Sequence, residues 1–116
     1  MLLIKVWCLP RMKEKQLNEL HEHIVAAVVG IKELDLRDGG DMVCLFPSDM
    51  MLYGLGDEII VEVTGLFNKQ PTEVIQAKLA KTLGKTVQKM FPQARVDCFV
   101  YPFDPKQGWW STSLVV

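Results

Sequence analysis

What the sequence lacks bounds it first. No apolar run approaches the ~20 residues that span a bilayer, so no transmembrane helix is expected. Neither sign of charge dominates: 13 Lys and Arg face 14 Asp and Glu for a net charge of -1. That removes the electrostatic footprint of a nucleic-acid or acidic-membrane partner. Cysteine is scarce and odd in number. Cys8, Cys44 and Cys98 have no paired spacing, and each lies in an apolar run where a free thiol acts as a small hydrophobe. Reduced thiols in a cytoplasmic protein are the expectation. The first residues lack the basic, apolar and small-residue succession of a signal peptide. The two histidines, His21 and His23, would lie about 200° apart on a helix, so one metal cannot take both. Gly54–Gly56 reads "GLG", without the third glycine and following helix of a dinucleotide fingerprint. No metal or cofactor is expected. With no low-complexity segment and no linker, 116 residues make one domain with a real core.

What is there is periodic. Four segments alternate apolar and polar residues at period two and read as strands: Leu2–Leu9, Asp41–Phe46, Asp57–Gly65 and Arg95–Tyr101. Ile4, Val6 and Cys8 share a face, as do Met42, Cys44 and Phe46; Ile59, Val61 and Val63; and Val96, Cys98 and Val100. Two helical patterns lie between them. Leu17, Leu20, Ile24 and Val28 share one helix face, and Gly30 suits its end. Ile75, Leu79, Leu83, Val87 and Met90 share the other, with Pro71 suited to the first turn.

The pattern repeats. A shift of about 55 residues lays the first half on the second, down to Pro47 and Asp49 on Pro102 and Asp104. Repeat one covers about residues 1–50, repeat two about 57–105, and a tail runs over 106–116. Two βαβ units predict an α+β fold, a four-stranded mixed sheet with two helices on one face. The other face carries Lys5, Trp7, Glu62, Thr64, Asp97, Phe99 and Tyr101, too polar for a core and too aromatic for plain solvent. An oligomer interface or a pocket wall accounts for that mixture. Two architectures fit the element order: a fully antiparallel ferredoxin-like split βαβ, and the tautomerase fold, in which each unit pairs its strands in parallel.

Three motifs in register decide between them. Leu9-Pro10-Arg11 closes the first strand, "MLYGLG" (Met51–Gly56) joins the halves, and "RVDCFVYPFD" followed by "GWWSTS" ends the chain. Over essentially its whole length the sequence resembles the macrophage migration inhibitory factor branch of the tautomerase superfamily. The resemblance implies a homotrimer with three sheets around an axis. It also implies short extra strands near Met50–Tyr53 and Ser111–Leu114. The tail would then rest on a neighbouring subunit, with one of Trp109 and Trp110 buried at the interface and the other at a pocket rim.

In this superfamily an amino-terminal proline shuttles a proton at the carbon next to a carbonyl. Aligning Pro10-Arg11 on the family turn puts Met1 at that position, and Leu2 is too bulky for the usual removal of the initiator methionine. Met1 then offers a primary amine that can serve as base or form a Schiff base. Arg11 matches the turn arginine, and Lys32 stands one residue beyond the family's lysine; either would hold a carboxylate. Asp97 and Phe99 replace a usual tyrosine and asparagine, and Trp109 belongs to the rim. The family's Cys-x-x-Cys redox motif is absent.

Plainer roles compete at each position. Arg11 and Lys32 suit solvated helix ends, Asp97 an interface salt bridge with Lys5 or Arg95, and Tyr53 and Tyr101 packing with a wet hydroxyl. Lys78, Lys81, Lys85 and Lys89 form the solvated stripe of the second helix. Three functions follow: an isomerase-type enzyme acting on a small keto or enol acid, a catalytically silent trimer that binds a ligand or partner, or, on the ferredoxin-like alternative, a sensor or assembly domain.

Overall fold

Alternation becomes four strands: β1 (Leu2–Trp7), β2 (Met42–Leu45), β3 (Glu58–Gly65) and β4 (Arg95–Val100). The computed structural model describes residues 1–50, 57–65, 67, 71–109 and 111. Leu2, Ile4 and Val6 are fully buried while Leu3, Lys5 and Trp7 are half-buried, the strict two-residue period of a strand with one dry face. β1 stops two residues short of the predicted Leu9. Cys8 takes φ 68°, the left-handed region that residues other than glycine seldom adopt, and this turns the chain out of the sheet.

The strand order is β2-β1-β3-β4. β1 and β2 run parallel with Leu2 opposite Met42, and β3 and β4 run parallel with Ile59 opposite Val96. The two units meet antiparallel, Ile4 opposite Val63 and Val6 opposite Val61. Parallel pairing within each unit is the tautomerase alternative and excludes the fully antiparallel one. The extra strands expected near Met50–Tyr53 and Ser111–Leu114 fall mainly outside the described residues, as do Tyr53 and Trp110.

Helices α1 (Glu14–Val29) and α2 (Glu73–Met90) pack on the same face. Leu20, Ile24 and Val28 of α1 and Leu79, Leu83 and Val87 of α2 have no exposed surface. The buried triplet of α2 lies one turn later than the repeat shift predicts, and Ile75 is only half-buried. The Thr72 hydroxyl accepts a hydrogen bond from the Ile75 N–H at 3.3 Å, capping α2. Pro71 therefore sits before the cap, buried, rather than in the first turn. At the other helix, the Gln16 side chain reaches back to accept from the Lys13 N–H at 3.0 Å, half of a capping box. Gly30 ends α1 in right-handed geometry, φ −65°, its N–H donating to the Ala26 carbonyl at 3.0 Å.

Leu83 is fully buried in α2, so Leu83→Ala should cost about 2–5 kcal/mol of unfolding free energy. Loss of the cap in Thr72→Ala should cost about 1 kcal/mol. Urea denaturation reads both; a Leu83→Ala loss no larger than that of the cap variant would mean that α2 does not seal the core.

Candidate functional site

β1 sets the geometry of the site. Its six residues, at about 3.3 Å each, separate its two ends by about 20 Å. Met1 lies at the first end, next to Gly65 at the close of β3. α1 runs back toward this end, so exposed Lys32, in a 3-10 turn Lys32–Leu34 just beyond it, belongs there too. Arg11 lies past the opposite end, and Asp97 lies at that end, since its partner Ile60 faces Trp7. Phe99 stands on the edge strand β4, opposite Glu62 and 53% exposed. Trp109 is 84% exposed in the tail. One chain thus brings Met1 and Lys32 to one end and Arg11 and Asp97 to the other, and does not gather the six predicted residues into a single site.

A cavity of about 370 Å³ opens at the Arg11 end, bordered by Cys8, Pro10, Arg11, Phe46, Ser48 and Asp49. The Cys8 thiol there is pushed above its usual range by burial, then by the negative charges of Asp49 and Glu58. Burial also raises Cys44 to about 11 and Cys98 to about 12. All three thiols stay protonated at neutral pH and act as packing groups, not nucleophiles.

The face of the sheet away from the helices holds a pairing that residue types alone do not reveal. Trp7 Nε1 donates to Glu62 Oε1 at 2.5 Å, and the Tyr101 hydroxyl donates to Glu62 Oε2. These bonds hold the Glu62 carboxyl below its ordinary range, Tyr101 contributing most, then Trp7, with Lys5 adding its charge. Conversely, Glu62 raises the Tyr101 phenol to about 12. The sequence places all four residues on this face, but only the β1–β3 register shows that Lys5 lies directly opposite Glu62. Asp97 pairs with Arg95, Nε to Oδ2 3.4 Å, one of the two partners its sequence context offered. Both side chains are substantially exposed, so the pair contributes at most about 1 kcal/mol.

Around this pairing Val43, Leu45, Phe99 and Tyr101 are exposed, an apolar and aromatic border on the sheet face that the described residues leave open. Lys78 of the basic stripe pairs with Glu33 at 3.0 Å, and His21 and His23 are exposed on α1. Among the described residues no three His, Cys, Asp or Glu side chains converge to hold a metal, and no helix is long and apolar enough to cross a membrane.

No protein-family model matches the chain, and no curated protein matches it by sequence. Solved structures do match. A wild-type fused 4-OT, an asymmetric trimer, aligns over 86% of both chains with a TM-score of 0.65 at 15% identity. Malonate semialdehyde decarboxylase covers 96% of this chain and 91% of its own, with a TM-score of 0.64 at 15% identity. A 5-carboxymethyl-2-hydroxymuconate isomerase from Deinococcus radiodurans R1 covers 97% and 88%, with a TM-score of 0.54 at 11% identity. Likeness at this identity concerns the fold alone, and the chain has the tautomerase fold.

The Glu62 pairing yields a pH prediction. Its folded-state pKa lies below the unfolded value, so its stabilisation is present above the unfolded pKa and fades as pH falls through the folded one. Tyr101→Phe should therefore lose less stability than the parent between about pH 5 and about pH 3, measured by urea midpoint. Parallel pH profiles for the two proteins would remove the hydrogen bond as the cause.

Proposed function

We propose that the chain is a tautomerase-like protein that acts on or binds a small keto or enol carboxylic acid, in a pocket completed between copies of a homotrimer. The observation that carries this reading is the division of the predicted site along β1. Met1 and Lys32 stand about 20 Å from Arg11 and Asp97 within one chain. The Met1 amine and Lys32 of one copy would then meet Arg11 and Asp97 of another where one copy's end abuts the next, with Phe99 and the Trp109 rim beside them. The uncovered aromatic face supports such assembly, and a fold neighbour is described as a trimer. Within the superfamily, the Leu9-Pro10-Arg11 turn and the closing Arg95-Val96 and Gly108-Trp109 motifs support the macrophage migration inhibitory factor branch.

In the proposed chemistry the Met1 amine takes a proton from the carbon next to a carbonyl, and Arg11 or Lys32 holds the substrate carboxylate. Asp97 need not repel that carboxylate, because Arg95 balances its charge at 3.4 Å. Methionine supplies a primary amine and a long side chain where the family has a proline, so activity is weak or altered. That same substitution favours the second reading, a catalytically silent trimer that binds a ligand or partner in the same pocket.

Calorimetric titration with phenylpyruvate tests the site. The parent should bind, and Arg11→Ala or Lys32→Ala should weaken binding by about 1.5–3 kcal/mol, the range for a charge-assisted hydrogen bond. Unchanged affinity in both variants would take the two cations out of the site. Replacing Met1 with proline, exposed by cleavage of a preceding methionine, should raise phenylpyruvate ketonisation by about tenfold or more, about 1.4 kcal/mol of barrier. No gain in an intact oligomer favours the silent reading.

A further inference from the structure

Gly65 closes β3 at φ 111°, a backbone conformation that side chains rarely tolerate. It faces Leu2 across the β1–β3 ladder. A Cβ at this position would lie 2.5 Å from the Met1 carbonyl oxygen, 3.2 Å from the Leu3 nitrogen and 3.3 Å from the Leu2 Cα. All three are backbone atoms of Met1 and the first residues of β1, so nothing there can swing aside as the tip of a side chain could.

The far side of Gly65 is held as well. Its carbonyl accepts the Phe103 N–H at 3.0 Å, and the Val63 carbonyl accepts the Tyr101 N–H at 2.9 Å. The chain therefore continues beside β3 past the end of β4. Residue 102 of this segment would point its N–H away from β3, and proline there sacrifices no bond. Leu2, fully buried, is paired with Met42 on one side and Gly65 on the other. The peptide that follows the Met1 amine has one path, laid against a backbone clamped from behind.

We infer that Gly65 is a positioning residue for the amine of residue 1: with no side chain at 65, the Met1 peptide lies flat against β3 and the amine is presented at a fixed point on the end of the sheet. The importance of that point rests on reading Met1 as the reacting amine, whereas the positioning itself is measurable without any substrate. Gly84 in α2 supplies a matched control, since a Cβ there would meet only the Cys98 Cβ at 3.8 Å, an ordinary contact.

The test is limited acetylation across a pH series, on protein whose intact mass shows it to begin at Met1. Peptide mass spectrometry gives the rate at the residue-1 amine relative to the lysines. Gly65→Ala should shift that rate by about threefold or more, the effect of a half-unit change in amine pKa, while Gly84→Ala leaves it at the parent value. Should Gly65→Ala fail to fold, a second pair decides. Phe103→Pro removes the N–H that holds the Gly65 carbonyl and should shift the amine in the same direction, whereas Phe103→Ala keeps it and should not. A folded Gly65→Ala with the parent rate and pH profile overturns the inference, as does equal behaviour of the two Phe103 variants. A shifted amine with phenylpyruvate affinity unchanged keeps the positioning role and instead refutes Met1 as part of the ligand site.

Discussion

Both helices of this protein lie on one side of a single sheet, and the rest of the structure follows from that asymmetry. Leu2, Ile4 and Val6 and Ile59, Val61 and Val63 turn toward Leu20, Ile24 and Val28 and toward Leu79, Leu83 and Val87. Each is removed fully from water, at roughly 1.5–3 kcal/mol per side chain, and this burial holds the four strands in their order. Among the described residues no helix covers the opposite face. Leu3, Trp7, Ile60 and Phe99 are among the side chains it alternates outward, and Phe99 is 53% exposed there.

Glu62 shows how that face can be covered at all. An ionised carboxylate removed from water is costly unless its oxygens are bonded. Here Trp7 and Tyr101 of the same chain occupy both oxygens, with Lys5 directly opposite on β1. In the proposed trimer the carboxylate would carry its own partners into the interface, and the exposed apolar residues around it would supply contact area. The assembly that hides this face would also unite the two ends of β1 from different copies. Fold and site are therefore one question.

The order of strands and helices was legible because strict alternation and helical spacing survive in the sequence without interruption. The βαβ duplication made parallel pairing one of two options, and short motifs such as Leu9-Pro10-Arg11 selected it. Strand ends were less legible. Nothing in "WCLP" announces that Cys8 would take φ 68° and end β1 at Trp7. The site was legible as residue types but not as a place: the fold puts Met1 and Lys32 at one end of β1 and Arg11 and Asp97 at the other, and residue types do not say which ends come together. The Glu62 pairing and the Gly65 contact were invisible for a related reason. Both depend on the β1–β3 register, and register between antiparallel strands joined through a helix and a long loop is a property of the packed core, not of local sequence.

In the proposed trimer the sheet face away from the helices is the interface between copies. Sedimentation equilibrium of the parent and of Phe99→Asp at micromolar concentration measures it directly, since Phe99 is 53% exposed and not part of the buried core. The parent should sediment at three times the 13.2 kDa chain mass, and the Phe99→Asp protein should stay folded but shift toward a single chain. A parent that sediments as a stable 13.2 kDa monomer would contradict the trimer.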